Sequence, residues 1–141
     1  MNSLRKIYCR SFQTVFKTAL PFLPYRKPKI VNSVKALPEI IQKKKCTKVL
    51  IITDEGIRKL GLTGRLEKAL NNAGIPYYIY DKTVANPTTD NVSEAVALYL
   101  EEDCDCIIGF GSGSSMDCAK ATGARIVKPK QSLAKCSCTV K

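Results

Sequence analysis

Apolar positions in this chain change spacing several times after Ile30, and each change marks an element. Leu37, Ile40 and Ile41 fall on one helical face, and Pro38 suits the first turn of that helix. "KVLIIT" (Lys48–Thr53) is an unbroken apolar run, the pattern of a strand covered on both faces. Leu66, Ala69, Leu70 and Ala73 then recur at i, i+3, i+4 and i+7, and Gly74 stands where a helix stops. "PYYIY" (Pro76–Tyr80) reads as a second strand. Pro and Asn punctuate "ANPTTDN" (Ala85–Asn91), which reads as a loop. Val92, Ala95, Val96, Tyr99 and Leu100 form another helical face, "CIIGF" (Cys106–Phe110) a third strand, and Ala119, Thr122, Gly123 and Ile126 a small-residue helical stripe.

Strands alternating with helices predict an α/β fold, a parallel sheet with helices on both faces. Ligands on such sheets bind beyond the carboxyl ends of the strands. Three segments occupy those ends: "TDEG" (Thr53–Gly56), "ANPTT" (Ala85–Thr89) and "GFGSGSSMDCAK" (Gly109–Lys120).

Before Ile30 the pattern is different. Leu4, Ile7, Tyr8, Phe12, Val15, Phe16 and Ala19 recur near helical spacing until Pro21, Pro24 and Pro28 end it. This segment, residues 1–29, holds Arg5, Lys6, Arg10, Lys17, Arg26, Lys27 and Lys29 and no acid. It suits a helix packing on its own protein or on a partner subunit; a mitochondrial transit segment and a membrane-surface helix are the alternatives. These bases, and a tail with no acid after Asp117, account for all of the net charge of +11 over 141 residues. The middle is nearly balanced and no basic strip with interleaved aromatics marks a recognition element, so nucleic acid is not an expected partner. No apolar stretch is long enough for a transmembrane helix, and a cytoplasmic location is expected.

Seven cysteines, an odd number with no classical secretory signal ahead of them, favour a reducing compartment and free thiols. Cys104 with Cys106, and Cys136 with Cys138, are C-x-C pairs, closer than usual zinc spacing. There is no histidine, which removes the commonest general base, the Ser-His and Cys-His nucleophile pairs and the commonest transition-metal ligand.

The glycine-serine stretch fails three known motifs. Gly113 is followed by Ser114 rather than the Lys of a Walker A loop; neither Ser112 nor Ser114 has the flanking glycines of a nucleophile elbow; and Ser114 stands where the dinucleotide fingerprint G-x-G-x-x-G needs its last glycine. Its physics nevertheless suits an anion. A strand ends, glycines allow positive φ and close approach, and a helix starts with its N–H groups pointing outward. Ser114 or Ser115 is expected to cap that helix and to donate to a phosphate oxygen. Asp117, read as part of the first turn, would face sugar hydroxyls, a substrate or a partner group. Asp54, just past the first strand, could accept both hydrogen bonds of an adenine-ribose diol and repel a 2′-phosphate; the same acid could serve only as a helix N-cap or a surface acid.

Together "KVLIITDEGI", "YDKTVANPTTDNV" and "IIGFGSGSSMDCAKA" resemble the N-terminal domain of iron-containing alcohol dehydrogenases over roughly Lys29 to Leu133. That family carries a strand-end T-D, an N-P-T loop and G-G-G-S-x-x-D followed by A-K, and "FLPYRKPK" looks like one of its subgroups. The resemblance implies a Rossmann-like nucleotide-binding domain of the dehydroquinate synthase-like type, residues 30–133. It implies NAD, with NADP less favoured, as cofactor and a small alcohol or aldehyde as substrate. Asp54 would sit on the adenine ribose, Asn86 in the Asn-Pro-Thr loop, and Gly113, Ser114, Ser115, Met116 and Asp117 around the pyrophosphate, with Gly111 and Ser114 shaping the turn. A homo-oligomer is compatible with this reading.

Two departures follow. Ser112 replaces the middle glycine; if that position needs positive φ or close cofactor approach, serine costs roughly 1 kcal/mol or more and weakens cofactor binding. The family holds iron or another divalent metal through an Asp and three His in a C-terminal helical domain, and this sequence has no His. The tail "AKCSCTVK" (residues 134–141) does not resemble the family's continuation, so a truncated, frame-shifted or fragmentary chain is expected, inactive on alcohols alone. The alternative is a non-catalytic nucleotide-binding or subunit-interaction module.

Overall fold

The computed structural model describes residues 28–129. The chain divides into two compact units, Met1–Val31 and Asn32–Lys141. Of the first, residues 28–31 are described and form no helix or strand. The readings of the chain before Pro28, of the tail, and of Cys136 and Cys138 lie outside the described residues.

In the second unit, strand β1 (Val49–Ile52) lies between β2 (Tyr77–Tyr80) and β3 (Cys106–Gly109), both parallel to it. The register pairs Val49 with Tyr77 and Cys106, and Ile52 with Tyr80 and Gly109. All four residues of β1 are fully buried, which explains its unbroken apolar run. Each such side chain taken from water contributes roughly 1.5–3 kcal/mol.

Helices cover both faces. On one, Leu50 and Ile52 pack with Tyr80, with Val92 and Ala95 of α4 (Thr89–Glu101) and with Cys118 of α5 (Gly113–Val127). On the other, Val49 and Ile51 pack with Ile41 of α1 (Leu37–Lys43) and with Leu66 and Leu70 of α3 (Gly64–Asn72). The division follows from topology. The chain runs β1 to β2 through α3, then back past β1 to β3 through α4. With one crossover hand, reversing direction along the sheet moves the helix to the opposite face. The reversal falls between β1 and β3, and open α/β sheets bind ligands beyond the carboxyl ends of the strands at such a point.

Two boundaries differ from the sequence reading. Helix α2 (Glu55–Lys59) was foreshadowed only by the N-cap alternative for Asp54; it spans only five residues, none of them buried, and so carries no apolar stripe. The Ala85–Asn91 loop ends at Thr88, because Thr88 and Asn91 form a reciprocal capping box that starts α4 at Thr89. Asn91, itself buried, also donates to the Tyr80 hydroxyl and the Lys82 carbonyl at 3.1 Å each. Gly74 ends α3 as expected, with φ of 65°.

Two carboxylates tie elements together. Glu67 of α3 accepts from Thr63 Oγ1 at 2.6 Å, Arg58 at 2.5 Å and the Tyr77 hydroxyl at 3.2 Å. The Thr63 hydroxyl is the largest influence holding its carboxyl below the usual 4.5, with the Arg58 charge adding to it against partial burial. Asp105 accepts from Thr47 N at 2.7 Å, Thr47 Oγ1 at 2.9 Å and Lys48 N at 2.9 Å, fastening the entry of β3 to the entry of β1.

Candidate cofactor site

The chain leaving β1 stays paired with the chain leaving β2, and the chain leaving β3 stays held on β1. Thr53 N donates to the Tyr80 carbonyl at 2.9 Å, and an isolated bridge joins Asp54 to Lys82. Phe110 N donates to the Ile52 carbonyl at 2.9 Å. Asp54 and the glycine-serine turn are therefore fixed beside each other.

The turn is built from three glycines with different duties. A Cβ on Gly109 would lie 2.9 Å from Ala119 Cβ and 3.3 Å from Met116 Cα, so its absence lets α5 close onto β3. Gly111 has φ of 115°, and a Cβ there would meet Ile57 Cγ1 at 3.0 Å. A Cβ on Gly113 would meet nothing within 4 Å.

Ser112 has φ of −71° and ψ of 168°, so it bears no left-handed strain; the positive φ falls on Gly111 instead. The backbone strain foreseen for serine here does not arise. Ser112 is also the N-cap of α5, accepting from Ser115 N at 3.4 Å. Ser114 and Ser115 were expected to cap, but the helix starts at Gly113, which places both inside its first turn. For the same reason Asp117 lies beyond the first turn, where it pairs with Lys120 at 3.3 Å.

Asp54 is the N-cap of α2, its Oδ1 accepting from Ile57 N at 3.0 Å. Its Oδ2 accepts from Ser112 Oγ at 3.1 Å and from Ser115 Oγ at 3.0 Å. The Ile57 N–H is the largest influence holding this carboxyl below the usual 3.8; slight burial opposes it, and the Ser115 and Ser112 hydroxyls and the Ser112 backbone N–H reinforce it. Asp54 is thus a carboxylate at neutral pH. Asn86, with φ of 57°, donates its N–H to Ser114 Oγ at 3.3 Å, which brings the Asn-Pro-Thr loop onto the same turn.

Of the residues singled out from the sequence, Asp54, Asn86, Gly111, Gly113, Ser114 and Ser115 converge. Met116 sits on α5 with a half-exposed side chain, and Asp117 makes no hydrogen bond to the others. Ser112 was missed as a bonding partner of Asp54. Its position three residues before Ser115 is the N-cap spacing that signals it.

The chemistry of the site suits an anionic, diol-bearing ligand. The N–H groups of Gly113 and Ser114 have no acceptor among the described residues. They open the first turn of a 15-residue helix, with the positive end of its dipole behind them. The space over Gly113 is clear. Asp54 keeps one unfilled lone pair on Oδ1. The Thr53 hydroxyl beside it is buried without a partner among the described residues. These features fit a nicotinamide dinucleotide. They offer nothing to a metal: among the described residues no group of three or more His, Cys, Asp or Glu could hold one.

The sequence profile of the iron-containing alcohol dehydrogenases matches residues 29–138. A choline dehydrogenase of Bacillus subtilis is 36% identical over 123 residues, 87% of this chain and 28% of its own. Alcohol dehydrogenase 4 of Saccharomyces cerevisiae is 40% identical over 83 residues, 59% of this chain and 22% of its own. The crystal structure of NADH-dependent butanol dehydrogenase A from Thermotoga maritima superposes with a TM-score of 0.69 at 28% identity, over 79% of this chain and 29% of that one. The chain spans about a quarter of the length of these curated relatives, 28% and 22%.

Proposed function

This chain belongs to the iron-containing alcohol dehydrogenase family, and on that premise we propose that it supplies NAD-binding residues to an oxidoreductase acting on a small alcohol or aldehyde. The observation that carries the reading is the convergence of Asp54, Asn86 and the start of α5 at the carboxyl ends of β1 and β3.

In this reading the Gly113 and Ser114 N–H groups donate to the pyrophosphate, aided by the helix dipole. Gly113 lets the phosphates approach the backbone, and Gly111 aims the turn by taking its positive φ. The Asp54 carboxylate accepts from the adenine-ribose hydroxyls and repels a 2′-phosphate, so NAD is preferred to NADP. The Asn86 loop, held on Ser114, walls the cofactor from the β2 side. Bound nicotinamide supplies a hydride acceptor or donor at its C4. Metal ligands would come from outside the described residues, and the sequence has no histidine to offer, so we assign this chain cofactor holding and no alcohol turnover of its own. The α/β domain would run over residues 30–133.

Calorimetric titration of the full chain with NAD tests this. Asp54→Asn keeps an N-cap residue, yet it should bind NAD about tenfold or more weakly, as expected for removing a charged acceptor. Absence of NAD binding by the parent chain would remove the cofactor assignment.

A further inference from the structure

Ser112 is a hydroxyl with two acceptors in reach. Its Oγ lies 3.1 Å from Asp54 Oδ2 and 3.3 Å from Ser115 Oγ. It has one proton to give. Ser115 also has one, and that hydroxyl, fully buried, donates to Asp54 Oδ2 at 3.0 Å. With both serines donating, the two lone pairs of Oδ2 are filled, while Oδ1 holds the Ile57 N–H and has one left.

A vicinal diol brings two donors to this carboxylate, and only one place is open. Ser115 cannot withdraw, because it is enclosed at the base of α5. Ser112 can: it is exposed, and turning its proton from Asp54 to Ser115 Oγ moves no heavy atom and leaves its oxygen accepting from Ser115 N.

We propose that Ser112 sets the nucleotide affinity of this site, its hydroxyl competing with a ribose hydroxyl for Asp54 Oδ2 and yielding when the diol binds. The inference rests on the nucleotide-binding reading above and assigns a specificity role to a side chain that glycine would lack. It makes a sharp distinction between ligands. A ribose with both hydroxyls gains when Ser112 is removed; a ribose with one hydroxyl needs only the open place on Oδ1 and gains nothing.

The probes are ADP and 2′-deoxy-ADP, titrated by calorimetry into the parent chain and into Ser112→Gly. Glycine is tolerated at an N-cap, and far-UV circular dichroism checks that the variant is folded. Ser112→Gly should bind ADP about threefold to tenfold more tightly, the effect of removing one competing hydrogen bond to a charged acceptor, and should bind 2′-deoxy-ADP as the parent does. Equal or weaker ADP binding by the folded variant overturns the role of Ser112 and leaves the nucleotide reading standing. No ADP binding by either chain overturns both. Should Ser112→Gly not fold, the parent decides: it should favour ADP over 2′-deoxy-ADP by less than about threefold, and stronger discrimination overturns the proposal.

Discussion

The buried hydroxyl of Ser115 donates to Asp54 Oδ2 at 3.0 Å, joining the first turn of α5 to the chain end of β1. That single bond fixes the carboxylate beside the helix start. Ser115→Ala removes it but leaves Ser112 on the same oxygen. A loss of about 1 kcal/mol in the urea unfolding free energy is expected, with the Asp54 carboxyl moving up toward its ordinary value in an NMR titration. An unchanged titration would show that the bond does not form in solution.

Gly111 and Gly113 should respond in opposite ways to alanine. At Gly111 the left-handed φ and the nearby Ile57 side chain make Gly111→Ala destabilising, by at least about 1–2 kcal/mol. At Gly113 a methyl group meets no atom of the protein, so Gly113→Ala should leave the melting temperature unchanged or slightly raised. If the pyrophosphate approaches that backbone, the same methyl obstructs it, and NAD affinity should fall. Paired thermal melts and calorimetric titrations separate the two effects.

Acid should loosen the fold through three carboxylates. Asp54, Glu67 and Asp105 are held below ordinary values of 3.8, 4.5 and 3.8. For Asp105 burial acts the other way and is overcome by the hydrogen bonds from Lys48 and Thr47. A folded-state value below the unfolded one means stability that is complete above the unfolded value and is lost as pH falls through the folded one. Melting temperatures should therefore be flat above about pH 5 and fall below about pH 4. Asp105→Asn should lower the melting temperature at neutral pH and reduce its acid dependence.

The fold was readable because its core elements are extreme in pattern. The run at Val49–Ile52 is buried on both sides of the sheet, and the Leu66–Leu70 stripe faces one of them, so periodicity alone separates strand from helix. Helix α2 escaped because it buries nothing; its only signal is Asp54 three residues before Ile57, an N-cap spacing that the ribose reading competed with. In the site, the three segments were legible from strand order, since parallel topology brings their ends together. What was not legible is which serine caps α5. Three serines lie within four positions, and the choice is made by Gly111, whose φ of 115° turns the chain one residue before Ser112. That choice displaces Asp117 from the helix start and puts Ser112 on Asp54.

The central claim, that the dinucleotide binds at the carboxyl ends of β1 and β3, is tested most directly by titrating NAD into the 15N-labelled full chain and following amide shifts. The account predicts the largest changes at Gly113 and Ser114, with smaller ones at Asp54 and Asn86. Saturating NAD that leaves the Gly113 and Ser114 amides unmoved, or moves only amides far from these strand ends, would contradict it.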